Sequence, residues 1–239
     1  MRKDNINTLK RWIKESSHSV FFGGAGVSTE SGIPDFRSID GLYRMKYSDP
    51  PEAILSHSYF MQNTSEFYKF YRDKMIYAEA LPNITHRKLY DLENQGKLET
   101  VITQNIDGLH QSAGSRNVLE LHGSVHRYYC MKCTKFYPLE RVLNMELIPL
   151  CECGGIIKPD VVLYEENLNP VILSESQRLI TGAELLIIGG TSLSVYPAAS
   201  LIQYYKGSRM VLINKSITPY DRDADLLIQS GLGEIFSEL

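Results

Sequence analysis

The sequence feature that most constrains the fold is an apolar run that breaks into glycines, within residues 18–37. The segment Val20–Phe22 predicts a short buried strand, and the glycines of Gly23–Gly26 predict a sharp turn that exposes backbone N–H groups. We expect Ser28 and Thr29 to cap a following helix, whose positive N-terminus would face the pyrophosphate of a nucleotide. A tight strand-to-helix turn without a ligand explains a lone Gly-Ala-Gly equally well.

The residues after this loop argue against an ordinary dinucleotide-binding dehydrogenase. Thr29 stands where the Gly-x-Gly-x-x-Gly fingerprint has its third glycine. Asp35, Phe36 and Arg37 then place a carboxylate, an aromatic ring and a guanidinium shortly after the turn. We expect these side chains to cover a bound ligand.

The overall composition excludes several classes of partner. The 239 residues are 43% hydrophobic, which is enough for one large domain or two unequal ones. Twenty-five basic and 28 acidic residues give a net charge of −3, so we expect no direct binding to nucleic acid or to an anionic membrane. No apolar run reaches the length of a membrane span, and the first residues lack the apolar core of a signal peptide, so we expect a cytoplasmic protein.

Buried apolar runs alternate with amphipathic segments along the chain, and this alternation predicts an α/β fold with a doubly wound parallel sheet. Turn residues predict an irregular segment over residues 38–55. The expected strands are residues 20–22, 98–103, 185–188, 210–213 and 226–228, and the expected helices are residues 5–17, 58–80, 196–206 and one that Thr85 caps.

Polar residues follow three of the expected strands at the point where each strand ends. They are Gln104–Asp107, Gly190–Ser192 and Asn214–Lys215. Ligands of doubly wound sheets bind at the carboxyl ends of the strands. The sequence therefore predicts one shared site at this edge of the sheet.

Four cysteines form two close pairs, Cys130 with Cys133 and Cys151 with Cys153, separated by 17 residues. This count and spacing are typical of a structural zinc site with four thiolate ligands. We expect the metal to stabilise a small ribbon without taking part in catalysis. Buried free thiols are the alternative, although two close pairs rarely arise by accident.

One histidine and two neighbouring polar residues are candidates for catalysis. His122 ends the apolar run Val118–Leu121, and a histidine at a strand end, titrating near neutrality, suits a general base. Asn105 supplies an amide that can orient a water or hydroxyl, and Asp107 a carboxylate that can pair with a carboxamide. The alternatives are packing for the histidine and turn formation for Asn105 and Asp107.

Six motifs, in the same order along the chain, resemble those of the sirtuins, the NAD-dependent protein lysine deacylases, of the bacterial type. The resemblance covers nearly the whole sequence. The motifs are Gly24–Ser28, Thr103–His110, His122–Gly123, the two cysteine pairs, Gly190–Leu193 with Tyr196–Ala198, and Asn214–Lys215.

This resemblance implies two domains with a cleft between them. A Rossmann-type large domain would be made of residues 1–37, 84–125 and 160–239. A small domain would combine a helical part, residues 38–83, with a zinc ribbon, residues 126–159. NAD and an acetylated lysine of a protein substrate would meet in the cleft.

The resemblance also implies the reaction and its residues. The acyl oxygen of acetyl-lysine would attack the ribose carbon that bears nicotinamide, nicotinamide would leave as a product, and the acetyl group would end on ADP-ribose. His122 would take a proton from the ribose hydroxyls, while Asn105 and Asp107 would position the ribose and nicotinamide. The substrate backbone would pair with Val162, Leu163 and Tyr164. The residues implied to contact NAD are Gly24, Ala25, Gly26, Ser28, Thr29, Asp35, Phe36, Arg37, Gln104, Asn105, Ile106, Asp107, His122, Gly190, Thr191, Ser192, Asn214, Lys215 and Leu232.

Three positions depart from the pattern of that family. Gly23 stands where threonine is common, which removes a possible hydroxyl contact. The run Leu163–Glu165 replaces a more usual Trp-Phe-Gly and predicts a differently shaped substrate tunnel. The second cysteine pair has one intervening residue instead of two, which puts its turn geometry in question.

Two other classes of function fit the same motifs. A mono-ADP-ribosyltransferase or an NAD hydrolase would use the same cleft, with His122 serving another acceptor. A non-catalytic NAD-sensing or peptide-binding module fits less well, because Asn105, Asp107 and His122 are all present.

The sequence also predicts which acyl group is removed. Family members that prefer succinyl-lysine or malonyl-lysine resemble one another in a Tyr-x-x-Arg pair on a small-domain helix, where the guanidinium grips the distal carboxylate. Here Tyr68 is followed by Tyr71 at the arginine position, and Arg72 comes one residue later. One residue is about a 100° rotation on a helix, so we expect Arg72 to point away from the pocket that Tyr71 faces. We therefore expect acetyl-lysine to be preferred to succinyl-lysine.

Overall fold

The apolar run before the glycine loop forms the inner strand of a parallel sheet. The computed structural model describes residues 2–36 and 49–239. The strands are β1 (Ser19–Gly23), β2 (Thr100–Thr103), β3 (Val118–Glu120), β4 (Gly123–Cys130), β5 (Phe136–Pro138), β6 (Ile157–Val161), β7 (Leu185–Gly189), β8 (Met210–Asn214) and β9 (Leu226–Gln229). Six of them form one sheet in the order β3-β2-β1-β7-β8-β9, and every pairing in it is parallel.

Helices cover both faces of this sheet because successive strand residues point to opposite sides. Phe21 packs into a core with α1 and α9, whereas Val20 and Phe22 pack into a second core with α8. The prediction of a doubly wound α/β sheet is confirmed. The helices are α1 (Arg2–Glu15), α2 (Pro51–Ile54), α3 (His57–Gln62), α4 (Thr64–Lys74), α5 (Ile84–Asn94), α6 (Leu109–Ser112), α7 (Leu139–Leu143), α8 (Pro170–Gly182) and α9 (Leu232–Phe236).

A smaller antiparallel sheet, in the order β5-β4-β6, carries the cysteines. Its apolar face packs against α2, α3 and α4, so the helical segment and the ribbon share one core. Aromatic rings fill that core, with Phe67 stacked on Tyr71 at 5.4 Å and edge-on to Phe60 at 4.9 Å. The molecule therefore has a large half built on the parallel sheet and a small half built on this core.

The expected helix after the glycine loop is wrong. Residues Ala25–Val27 and Thr29–Ser31 form two short 3₁₀ turns, and neither has a side-chain cap. The Ser28 hydroxyl donates instead to Asp107, 79 residues further along the chain. The Ser28 hydroxyl, which the local pattern assigned to a helix cap, therefore forms a long-range hydrogen bond instead.

Other boundaries differ for local reasons. The expected helix 58–80 is divided into α3 and α4 at Asn63 and ends at Lys74. Asn83, rather than Thr85, caps α5, since its side chain accepts from the Thr85 N–H at 2.9 Å. Most of the expected irregular segment 38–55 lies outside the described residues, although its end forms α2.

Two further segments were misjudged from the sequence. The helix expected over residues 196–206 is a 3₁₀ helix and is shorter, Ala198–Tyr204. Helix α8 was not expected, yet Asn169 caps it and Pro170 opens it, which is a start signal that sequence reading could have used. Within residues 2–36 and 49–239, the helices are too short or too polar to cross a bilayer.

Candidate active site

A cleft of about 1000 Å³ lies between the two halves, at the carboxyl ends of the central parallel strands. The glycine loop after β1 and the segments after β2, β7 and β8 form one wall. Residues Leu55, Val125 and Leu139 of the small half contribute apolar surface to the other wall. The polar residues that follow these strands therefore line one cleft, as the sequence predicts.

The glycine loop is pressed against the end of β7. The Gly26 N–H donates to the Gly190 carbonyl at 2.8 Å. A Cβ atom on Gly26 would lie 2.7 Å from the Gly190 Cα, so a larger residue would force the two segments apart. Gly190 itself has φ +62°, a conformation that favours glycine. These glycines allow the backbones at the ends of β1 and β7 to touch. Beside this contact, Ala25, Gly26 and Gln104 form a concave part of the cleft wall, called the cradle below.

Gln104 lines this cradle with an incompletely satisfied amide. Its Oε1 accepts from the Thr191 hydroxyl at 2.8 Å. Its Nε2 is buried and has no hydrogen-bond partner among the described residues. A Cβ atom on Gly24 would lie 2.7 Å from the same Oε1, so only glycine leaves room there. A donor without a partner, on a side chain that lines the cleft, fits a polar, oxygen-rich ligand such as a dinucleotide.

Asn105, Ser28 and Asp107 form a hydrogen-bonded chain across the cleft floor. The Asn105 Nδ2 donates to the Ser28 Oγ at 3.0 Å, and the Ser28 hydroxyl donates to the Asp107 Oδ2 at 2.6 Å. The Leu109 N–H donates to the other carboxylate oxygen at 2.9 Å. Burial raises the pKa of Asp107, and these two donors only partly offset that shift. The chain fixes the orientation of the Asn105 amide toward a ligand.

His122 lies between β3 and β4, and one of its ring nitrogens forms a hydrogen bond. Its Nδ1 is 2.9 Å from the carbonyl oxygen of Gln104. A carbonyl can only accept, so Nδ1 carries the hydrogen and Nε2 of the neutral ring is free to accept a proton. Burial lowers the pKa of His122, and the bond to Gln104 opposes this only in part. The ring is therefore neutral at pH 7 and is oriented as a general base.

The segment Val162–Tyr164 runs beside His122 along the small half. The Val162 N–H donates to the His122 carbonyl at 3.0 Å, and the Tyr164 N–H donates to the Leu55 carbonyl at 3.0 Å. The side chain of Leu163 is buried, whereas that of Tyr164 is exposed. The segment thus connects the base to the small half.

The opposite end of the cleft is formed after β8 and at the start of α9. The Asn214 Nδ2 donates to the Ser216 carbonyl at 2.9 Å, and Lys215 and Leu232 line the wall beside it. Glu30 also lies here and accepts from the Gly233 N–H at 3.2 Å. Sequence reading missed Glu30, because its position beside α9 depends on a contact 203 residues away.

The structure brings together most of the residues named from the sequence. Gly24 lies behind the wall, against Gln104 and Thr191, and Arg37 lies outside the described residues. The cleft also includes His126, whose Nε2–H donates to the Asp107 carbonyl at 2.9 Å and which no local pattern singled out. The predicted residues that line the cleft are Ala25, Gly26, Ser28, Thr29, Asp35, Phe36, Gln104, Asn105, Ile106, Asp107, His122, Val162, Leu163, Tyr164, Gly190, Thr191, Ser192, Asn214, Lys215 and Leu232.

The four cysteines converge away from the cleft. Their four sulfur atoms all lie within 4.8 Å of one another. The Sγ atoms of Cys130 and Cys153 are 3.5 Å apart, and those of Cys133 and Cys151 are 3.6 Å apart. The Tyr137 hydroxyl donates to the Cys151 sulfur at 3.1 Å. Together with the Cys153 N–H, it lowers the pKa of that thiol to about 6. Four thiols at this spacing fit one structural zinc ion, and the short second pair does not prevent their convergence.

The tyrosines compared with an acyl-binding Tyr-x-x-Arg pair occupy unexpected places. Tyr68 and Tyr71 are fully buried in the small-half core, so the expectation that Tyr71 faces the pocket is wrong. Helix α4 turns their side chains inward, toward β4 and β6. Arg72 does point away from the cleft, as expected, and its guanidinium donates to the carbonyls of Val142 and Glu146.

Known proteins resemble this chain over nearly its whole length. The Sir2 family model matches residues 24–197. A protein of Clostridium acetobutylicum, named NAD-dependent protein deacetylase, is 58% identical over 236 residues, which cover 97% of this chain and 96% of that protein.

Solved Sir2 structures resemble this chain equally broadly. One holds a deacetylated p53 peptide and 3′-O-acetyl-ADP-ribose; it is 40% identical, covers 97% of this chain and 96% of its own, and has a TM-score of 0.90. Another, with a p53 peptide and NAD⁺, is 39% identical, covers 98% of this chain and 96% of its own, and has a TM-score of 0.88.

Proposed function

The chain belongs to the Sir2 family and is an NAD-dependent protein lysine deacetylase, and we propose how its residues divide the work of that reaction. NAD supplies an ADP-ribosyl group with nicotinamide as its leaving group, and an acetylated lysine supplies the acetyl group. The observation that carries the proposal is the neutral His122 ring, whose Nδ1–H is bonded to the Gln104 carbonyl and which lines the same cleft as the Asn105–Ser28–Asp107 chain.

We assign the general base to His122. The bond from Nδ1–H to the Gln104 carbonyl keeps Nε2 unprotonated and holds the ring plane. Once the acyl oxygen has displaced nicotinamide from the ribose, His122 takes a proton from a ribose hydroxyl, which attacks the acyl carbon; lysine leaves as the free amine, and one water supplies the atoms that complete acetylated ADP-ribose. A positioned base contributes about 10²- to 10⁴-fold to such a step.

Asn105 and Asp107 hold the reacting end of NAD. The Asn105 amide is fixed through Ser28, and it presents its free oxygen to the ribose or to a bound water. Asp107 accepts two internal hydrogen bonds, so its carboxylate keeps one orientation beside the nicotinamide carboxamide. Positioning matters here because an amide oxygen is a poor nucleophile, and correct alignment of reactants lowers the barrier by several kcal/mol, about 7–11 in ideal cases.

The remaining NAD contacts follow the walls of the cleft. We place the pyrophosphate at the cradle of Ala25, Gly26 and Gln104, where the unused Gln104 Nε2 donor lies. We place the adenosine at the far end, beside Thr191, Ser192, Asn214, Lys215 and Leu232.

The acetylated peptide adds to the edge formed by Val162–Tyr164. The N–H groups of Val162, Leu163 and Tyr164 are already bonded within the protein, so the peptide N–H groups pair with carbonyls of this segment, which gives affinity with little dependence on sequence. The apolar side chains of Leu55, Val125 and Leu139 lie on the same side of the cleft and suit an uncharged acyl group.

We propose domain boundaries at residues 1–37, 84–125 and 160–239 for the large domain. Residues 38–83 and 126–159 form the small one. The shared core of α2–α4 with the small sheet supports this division, although β4 begins at Gly123 and β6 ends at Val161. We further propose that the protein works in the cytoplasm, where four free thiols stay reduced and available to zinc.

Release of nicotinamide tests this function against its alternatives. We expect NAD to release nicotinamide only when an acetyl-lysine peptide is present, and not with the same peptide carrying free lysine. An NAD hydrolase would release nicotinamide with either peptide or with none. A mono-ADP-ribosyltransferase would add an ADP-ribosyl mass to the acceptor peptide.

A further inference from the structure

Glu165 ties the substrate segment Val162–Tyr164 to helix α3, and we propose that this tie positions the segment for the acetylated peptide. The inference rests on the proposed function, because it takes that segment as the edge with which the peptide pairs. Glu165 lines the cleft but is not one of the groups assigned to the chemistry. It is therefore a positioning residue.

The first N–H groups of α3 are capped largely by this segment. The His57 N–H donates to the Tyr164 carbonyl at 2.9 Å, and the Ser58 N–H donates to the Glu165 carboxylate at 2.9 Å. The third, from Tyr59, donates to the Ser56 hydroxyl at 3.2 Å. A helix cannot satisfy its own first N–H groups, so the segment supplies partners that α3 lacks.

The Glu165 backbone adopts a strained conformation, which the hydrogen bonds of its side chain stabilise. Its φ is +75°, in the left-handed region that residues other than glycine rarely occupy. Such strain persists only where surrounding contacts determine the conformation. Here both carboxylate oxygens bind Ser58, one through its N–H and the other through its hydroxyl at 3.0 Å.

The next residue also holds the segment. Glu166 accepts from the Leu163 N–H at 2.9 Å and from Lys158 Nζ of β6 at 3.0 Å, and its Oε1 lies 2.8 Å from His57 Nδ1 at the start of α3. Of the two adjacent glutamates, Glu165 thus binds the segment to α3 alone, whereas Glu166 binds it to both β6 and α3. Since Val162 is bonded to the His122 carbonyl, the position of this segment is also set relative to the base.

The variant Glu165→Gly distinguishes the effect of the Glu165–Ser58 bonds from any effect on the stability of the fold. Glycine adopts φ +75° without strain, so Glu165→Gly keeps the backbone turn but removes both bonds to Ser58. The segment then keeps only the Glu166–His57 contact as a side-chain connection to α3, so a peptide must order it further on binding. We expect peptide affinity to fall while the stability of the fold is retained.

The experiment measures binding of a fluorescein-labelled acetyl-lysine peptide by anisotropy, together with kinetics on the same peptide. In Glu165→Gly we expect the peptide Kd and KM to rise about fivefold, with kcat and the KM for NAD within about twofold of wild type. Glu165→Gln keeps one acceptor oxygen, and we expect an intermediate rise. Ser58→Ala should weaken binding in the wild-type background and have no effect in Glu165→Gly.

Thr134→Gly is the matched control, because Thr134 also has a positive φ, of +59°, but lies in the ribbon outside the cleft. We expect it to leave peptide affinity unchanged. An unchanged peptide Kd in folded Glu165→Gly would overturn the inference. So would a parallel rise in the KM for NAD with a lower Tm, which indicates a general structural role. A wild-type protein that binds the peptide but does not deacetylate it would contradict the proposed function, and the binding comparison would still decide this inference.

Discussion

One side of the cleft carries His122 and Asn105 and is built on a sheet of six parallel strands. The other side is built on a sheet of three antiparallel strands, next to which four cysteines cluster. In the first, apolar side chains cover both faces of the sheet, and polar groups come only at strand ends. In the second, a core of buried aromatic and aliphatic side chains packs on one face of the small sheet, and it includes two of the four cysteines, Cys130 and Cys151. The base that we propose thus follows strands of the parallel sheet, whereas the apolar wall that we propose for the acyl group belongs to the core that contains two of the cysteines.

Removal of zinc should have the largest effect of the changes considered, and it should affect the small half. Structural zinc contributes about 10–16 kcal/mol to the folding of isolated zinc fingers, so Cys133→Ser should lose both zinc and the structure of the small half. We expect metal analysis to give one zinc per chain in wild type and calorimetry to give a lowered Tm in the variant. Met131→Ser, an exposed residue between two ligands, should retain zinc. Wild-type protein purified without chelators and free of zinc would contradict the assignment.

His122→Ala should act on the other half without destabilising it. We expect kcat/KM to fall about 10²- to 10⁴-fold, because the variant lacks the base, while the Tm and the Kd for NAD stay near wild type. His18→Ala is the control, since that histidine is exposed and pairs with Glu99 outside the cleft. Deacetylation near the wild-type rate by a folded His122→Ala protein would refute the role of His122.

Acyl selectivity tests whether the small half offers a cation to the acyl chain. The Arg72 guanidinium is bonded to the carbonyls of Val142 and Glu146, so it offers no cation to an acidic chain that lies along the apolar wall of Leu55, Val125 and Leu139. We expect kcat/KM for an acetyl-lysine peptide to exceed that for a succinyl-lysine peptide at least about tenfold. A propionyl-lysine peptide controls for length. Equal values for acetyl and succinyl would mean that Lys74, or Arg44 in the part of the chain not described, reaches the acyl group.

Acid should weaken the large half through two buried histidines. His86 and His110 lie with ring centroids 4.7 Å apart, and burial lowers their pKa values to about 4 and about 3. Between these values and about 6.5 the unfolded chain binds more protons than the folded one, so stability is lost as the pH falls.

Urea unfolding at pH 5 and pH 7 measures this effect. Each histidine contributes at most about 1.4 kcal/mol per pH unit, and we expect a lower free energy of unfolding at pH 5. His110→Leu should reduce the difference, because neither ring nitrogen of His110 has a partner among the described residues. An undiminished difference in that variant would show that other groups cause the acid sensitivity.

The sequence was sufficient for features that depend on local pattern. Alternating buried runs predicted the parallel sheet, and polar residues after three strands predicted where their ends would meet. The cysteine spacing predicted a cluster although its second pair is short. Each of these follows from periodicity or from ligand count.

Contacts between distant residues could not be read in the same way. The Ser28 hydroxyl was assigned to a helix cap, yet it binds Asp107. Tyr71 was expected to face the pocket, but the packing of α4 against β4 and β6 buries it. Glu165 stood out only as a departure, because its partner Ser58 lies 107 residues earlier. Such contacts are fixed by tertiary packing, which local propensity does not encode.

Mass spectrometry of the products tests the central claim most directly, namely that this cleft moves an acetyl group from lysine to ADP-ribose. Wild-type protein is incubated with an acetyl-lysine peptide, with and without NAD. With NAD, we expect deacetylated peptide, nicotinamide and acetylated ADP-ribose in equal amounts, and without NAD an unchanged peptide. Free acetate without acetylated ADP-ribose, or a peptide that gains the mass of ADP-ribose, would contradict the account.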